Sequence, residues 1–135
     1  AIESLMHMNR KRVFNQVCHV LRPGSRFVLC DWIIKAPLTT TEEQTVNQFT
    51  AGSYLNIDQY TATMEACGFV DLVVNDWTKM VEPTYTHWTT VTEEMEREMP
   101  REWLEKVKDA CERLSEIAVD KLGYVQICGR SDRLA

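Results

Sequence analysis

The sequence predicts an α/β fold of three strands and about five helices, and three observations carry that expectation. Short apolar runs at residues 26–32, 70–78 and 124–129 have the length of strands. The stretches before and between them place apolar residues at steps of three and four, the period of a helix with one buried face. All four prolines, Pro23, Pro37, Pro83 and Pro100, fall where one pattern gives way to another.

Taken in order, Val13, Phe14, Val17, Cys18 and Leu21 line one face of a helix over 9–21, which must stop where Arg22 precedes Pro23 and Gly24 follows. Phe27, Val28, Leu29 and Cys30 then run with no polar residue between them. That is the pattern of a strand buried on both faces, as in a parallel sheet covered by helices. The run ends on a charge and a large aromatic, Asp31 and Trp32. Thr40 with Glu43 predicts a capping box for a helix reaching Ala51. Asp58 predicts the cap of a helix through Tyr60, Met64 and Cys67, with Gly68 as its left-handed stop. The second strand runs into a second Asp-Trp pair, Asp76-Trp77, which predicts two strand ends at one rim. A helix over 84–99 carries Tyr85, Trp88, Val91, Met95 and Met99. The next, over 101–122, carries Leu104, Val107, Cys111, Leu114 and Ala118, with Gly123 ending it before the third strand.

Composition narrows the function. With 135 residues the chain has the length of one domain, and its net charge of -5 argues against a nucleic-acid or anionic-membrane surface, which needs a face dominated by Lys and Arg. The basic cluster Arg10-Lys11-Arg12 reads as a solvated helix start. No apolar run approaches the roughly 18 residues of a membrane span. The five cysteines are odd in number and form no C-x-x-C, so they read as reduced core thiols of a cytoplasmic protein. His7, His19 and His87 lack metal-ligand spacing and no metal is expected; His19 and His87 read as surface residues.

Three motifs carry a resemblance. E-S-L-x-H at residues 3–7, L-R-P-G-S-R-F-V-L-C-D-W at 21–32 and Y-x-x-x-M-E-A-C-G-F-V-D-L at 60–72 resemble the second half of class I S-adenosylmethionine-dependent methyltransferases. D-W-T at 76–78 followed by V-x-P at 81–83 looks closest to the gamma-tocopherol methyltransferase-like group and the rebeccamycin-type sugar O-methyltransferases. The resemblance implies that residues 1–135 form a partial domain, the C-terminal half of a Rossmann-like methyltransferase fold, with the fifth to seventh strands and the acceptor-covering helices. The N-terminal cofactor-binding half is expected to be missing, because no pair of the five glycines forms G-x-G and no nucleotide cradle can be built from this chain.

What the resemblance implies for function is a small-molecule methyltransferase with S-adenosyl-L-methionine as cofactor, bound mainly by the missing half. Glu3 and Ser4 would contribute to the cofactor site. His7 would take the acceptor's proton and Asp31 would orient it, as a histidine with an ordinary pKa near 6.5 suits that task. Trp32, Tyr54, Trp77, Tyr85 and Trp88 would line a lid over a flat or prenylated, largely apolar acceptor. The expected partners are that acceptor and either a second copy of the chain or the missing half, since the strand over 26–32 should lie between the third strand and an interface. The alternative is a non-enzymatic remnant that self-associates through this strand's edge.

Overall fold

The computed structural model describes residues 1–132, apart from the side chains at positions 49 and 91–93, and Val91 therefore lies outside the described side chains. After a short 3-10 turn over Leu5–His7 come α1 (Arg10–Val20), β1 (Arg26–Ile34), α2 (Thr40–Thr50), α3 (Ile57–Ala66), β2 (Phe69–Asp76), α4 (Thr78–Glu94), a 3-10 turn over Met95–Arg97, α5 (Arg101–Lys121) and β3 (Leu122–Ser131). The α/β class, the three strands and the five α-helices are those expected from the sequence.

The sheet has the order β1-β3-β2, and β3 runs antiparallel to both neighbours. The parallel sheet expected from the apolar run of β1 is therefore corrected. β2 ends and β3 begins at one rim, because α4 and α5 pack against each other and return the chain to the level it left. β1 is not the most buried strand; β3 is, since it has a neighbour on each side. Alternation along β1 splits the interior in two. Leu29 and Ile33 join Phe14 and Cys18 of α1, Tyr60 and Met64 of α3, and Phe69 in one core. Trp32 and Ile34 face a second core built on Val46, Tyr85, Leu114, Ala118 and Leu122.

The outer edge of β1 is partly paired. The Cys30 amide donates to the Ala1 carbonyl at 2.8 Å, the Glu3 amide donates to the Cys30 carbonyl at 2.9 Å, and Ile2 bridges Cys30 in parallel. Further along the strand, Val28 is 42% exposed.

Several boundaries move for local reasons. The capping box of α2 is Thr39 with Glu42, and that of α3 is Asn56 with Gln59, each set earlier than expected and each satisfying two amides reciprocally. Gly68 takes the left-handed conformation as expected, at φ 90°. Gly123 does not end α5: it pairs with Ile33 inside the sheet, where a Cβ would lie 2.9 Å from the Thr78 hydroxyl. Pro83 lies inside α4, which starts where the Thr78 amide donates to the Asp76 carboxylate at 2.8 Å.

Candidate functional site

The two Asp-Trp pairs stand at one level of the sheet. Asp31 of β1 and Asp76 of β2 both pair with Val125 of β3, and Trp32 pairs with Tyr124, whose carbonyl accepts from the Trp77 amide at 2.8 Å. β1 continues to Ile34, so its aspartate lies within the strand rather than at its end.

Above this level is a cavity of about 240 Å³. Glu3, His7, Trp32, Tyr54 and Trp88 line it, over a base that includes Leu114 and Leu122. The Trp32 ring meets Tyr85 at 5.7 Å, Trp88 at 6.0 Å and, edge to face, Tyr124 at 5.2 Å between centroids. Tyr85 is buried behind Trp32 and Trp88, and its hydroxyl has no hydrogen-bond partner among the described residues; burial, with Glu82 adding to it, pushes that phenol up to about 12. Half-buried Trp77 is not among the residues that line the cavity. Among the described residues, the sequence-expected aromatics thus form one cluster, with Trp77 set apart.

The segment carrying His7 and the loop carrying Tyr54 are tied together. The His7 ring nitrogen Nδ1 lies 3.3 Å from the Ala51 carbonyl, and the Ser53 amide donates to the Met6 carbonyl at 3.0 Å. Gly52 allows this close approach, since a Cβ there would meet Met6 at 3.1 Å. Ser4 precedes the 3-10 turn as its cap residue without a side-chain hydrogen bond.

Asp31 and His7 are not joined by a hydrogen bond. Asp31 is fully buried on the other face of β1, where Oδ1 accepts from the Trp32 amide at 3.0 Å and Oδ2 from the Tyr60 hydroxyl at 2.5 Å. Burial raises its pKa above the ordinary carboxylate range, against the lowering effect of Tyr60, the Trp32 amide and Arg10, while Glu3 adds to the rise. Tyr60 is itself raised, by burial and then by Asp31.

Arg10 was expected to be solvated and is buried instead. Its Nε donates to the Tyr60 hydroxyl at 3.0 Å, and its remaining nitrogens donate to the hydroxyl and the carbonyl of Ser53. The signal was present: Arg10, Phe14 and Cys18, the buried residues of α1, recur every fourth position. Tyr124 was also passed over, because in sequence it reads as one more strand residue. It donates to Glu3 Oε1 at 3.0 Å, and its own pKa is raised by burial and then by that bond. Glu3 itself holds a left-handed backbone at φ 47°, uncommon for a residue with a side chain.

Chemically, the site offers an aromatic cavity with a carboxylate and an imidazole on its wall. Among the described residues no group of three or more His, Cys, Asp or Glu could hold a metal ion, and no helix is long and apolar enough to cross a membrane.

Comparison with known proteins places the fold. No protein-family model matches the chain. The methyltransferase GfsG of Streptomyces halstedii is 35% identical over 89 residues, which is 62% of this chain and 32% of that protein. The chain therefore spans about a third of the length of this curated relative. Among solved structures, the cyclopropane synthase MmaA2 of Mycobacterium tuberculosis superposes with a TM-score of 0.82 at 14% identity, over 96% of this chain and 53% of that one. The phosphoethanolamine N-methyltransferase 2 of Haemonchus contortus, in complex with S-adenosyl-L-methionine, superposes with a TM-score of 0.76 at 12% identity, over 98% of this chain and 32% of that one.

Proposed function

We propose that this chain, which resembles class I methyltransferases in sequence and shares their fold, is the C-terminal, acceptor-binding part of an S-adenosylmethionine-dependent small-molecule methyltransferase. The observation that carries the reading is the cavity at the rim of the sheet, where Glu3, His7, Trp32, Tyr54 and Trp88 converge from separate parts of the chain. An apolar or aromatic acceptor, with the reacting O, N or C atom turned toward His7, fits such walls. Tyr85 backs the indoles, and Trp77 would reach an acceptor larger than the cavity. S-Adenosyl-L-methionine, as cofactor, would supply a methyl group on a sulfonium: an electron pair of the acceptor's O, N or C atom would form the new bond and the sulfur would keep the electrons of the old one.

Within this proposal the chain's own residues align the acceptor and remove its proton. His7 is exposed at the cavity wall and takes the proton. Asp31 acts from beneath as a fixed charge rather than as a hydrogen-bond partner of the imidazole. Glu3 and Ser4, where the chain leaves its pairing with β1, are the residues that would meet the cofactor. The described residues contain no glycine-rich turn, so the cofactor's remaining contacts would come from elsewhere in the complete protein.

The test is transfer of a labelled methyl group from S-adenosylmethionine to small apolar or aromatic acceptors by the complete protein. The expected result is transfer that competes with aromatic ligands of the cavity. A complete protein that binds such ligands but transfers no methyl to any acceptor would overturn the reading.

A further inference from the structure

We propose that the cavity takes an acceptor bearing a protonated or quaternary amine, held by the Glu3 carboxylate and the indole faces of Trp32 and Trp88. This deepens the preceding reading, rests on it for the identity of the cavity as the acceptor site, and moves the Glu3 carboxylate from the cofactor to the acceptor, leaving Ser4 with the cofactor.

Three observations point to a cation. The first is how Glu3 is held. Its amide donates to Cys30 on β1, its backbone stays left-handed at φ 47°, and the Tyr124 hydroxyl fixes Oε1 at 3.0 Å. Tyr124 comes from the central strand, 121 residues along the chain, so the carboxylate of this exposed residue is anchored to the sheet. Oε2 has no protein partner among the described residues. A strained backbone that holds a charge beside a cavity is the kind of outlier that marks a binding function.

The second is the balance of charge. Among the described residues, no lysine or arginine lines the cavity. Arg10 acts on Asp31 beneath the cavity, and its nitrogens are turned to Ser53 and Tyr60. Glu3 raises the cost of ionising Asp31 beneath the cavity, and one arginine, Arg10, opposes it. A phosphate or carboxylate ligand would meet repulsion here, and an ammonium would relieve it.

The third is the walls. Trp32 and Trp88 line the cavity with ring centroids 6.0 Å apart, and Tyr54 faces it as well. Indole faces attract cations through their quadrupole, most strongly where water is excluded. A cavity of about 240 Å³ admits a trimethylammonium head with room for its substituent.

The inference is tested on the chain itself by following the indole N–H resonances of Trp32 and Trp88 in nitrogen-15 spectra during titration with choline. Its uncharged isostere, 3,3-dimethylbutan-1-ol, is titrated in parallel at constant ionic strength. Saturable shifts at Trp32 and Trp88 are expected with choline, while exposed Trp103 stays unmoved. The isostere should bind at least tenfold more weakly. Glu3→Gln should weaken choline about five- to tenfold and leave the isostere unchanged, and Tyr124→Phe should weaken choline by less. Equal affinity for choline and the isostere, choline binding unchanged in Glu3→Gln, or no saturable shift at either indole would each overturn the inference. Because this readout needs no methyl transfer, choline binding in a protein that never methylates would remove the proposed activity and leave the cation site standing.

Discussion

The guanidinium of Arg10 holds Ser53, 43 residues further along, through both its hydroxyl and its carbonyl, and so ties the loop before α3 to the start of α1. That loop carries Tyr54 to the cavity, and Arg10 continues through Tyr60 to Asp31 beneath it. The polar chain is buried throughout its Arg10, Tyr60 and Asp31 members. Arg10→Met should cost about 2–4 kcal/mol, because it strips Asp31 of its compensating charge and leaves Ser53 unpaired. Urea denaturation checks this. Arg10→Met and Asp31→Asn together should cost less than the sum of the single changes, since both break one network.

Tyr85→Phe should stabilise the chain by about 1 kcal/mol, because the buried hydroxyl it removes is unsatisfied. Thermal unfolding reads the gain. In the complete protein the same variant separates two roles. Unchanged KM means that the hydroxyl is only a packing cost, and a raised KM means that it meets the acceptor.

His7→Ala in the complete protein should lower turnover by roughly 10²- to 10⁴-fold, the usual worth of a positioned general base, with little change in cofactor affinity. Asp31→Asn should act on turnover less than His7→Ala does, because Asp31 bonds to Tyr60 and not to the imidazole. A His7→Ala enzyme of normal rate at every pH would mean that alignment alone drives transfer.

Two carboxyl groups should give opposite pH dependences to stability. Asp31 has its folded pKa raised by burial, so the stability it lends is present below its ordinary value of 3.8 and is lost as pH rises through the raised one. Glu42, which Lys121 approaches to 2.6 Å, is lowered from 4.5 to about 2, first by that bond and then by the Thr39 amide. Its contribution is present above 4.5 and is lost as pH falls toward about 2. Melting curves from pH 2 to 7 should show the deficit of Glu42→Gln closing on acidification. Over the same range Asp31→Asn should improve relative to the parent as pH rises above 4.

Much of the local structure was legible because it depends on neighbours in sequence. Helical spacing over 9–21 located α1, and the recurrence of an Asp-Trp pair pointed to a common level, where both aspartates pair with Val125 although β1 runs on past its own pair to Ile34. Errors arose where two local signals competed. Thr40 and Glu43 make as good a capping box on paper as Thr39 and Glu42, but Thr39 is the last extended residue, at ψ 162°, and Thr40 is already helical. Pro83 reads as a boundary, yet α4 begins before it because Asp76 caps the Thr78 amide.

The sequence by itself determined the class of fold and the order of its strands and helices along the chain, because periodicity and capping are properties of a few adjacent residues. Only the tertiary structure decided that β3 runs between β1 and β2 and against both, which depends on the two-helix excursion of α4 and α5 returning to one rim. It also decided that Arg10 is buried against Tyr60 and Ser53, and that Glu3 meets Tyr124. Those contacts join residues up to 121 positions apart. No local pattern specifies such a pair; it exists because the edge beside β1 and the central strand come to lie side by side.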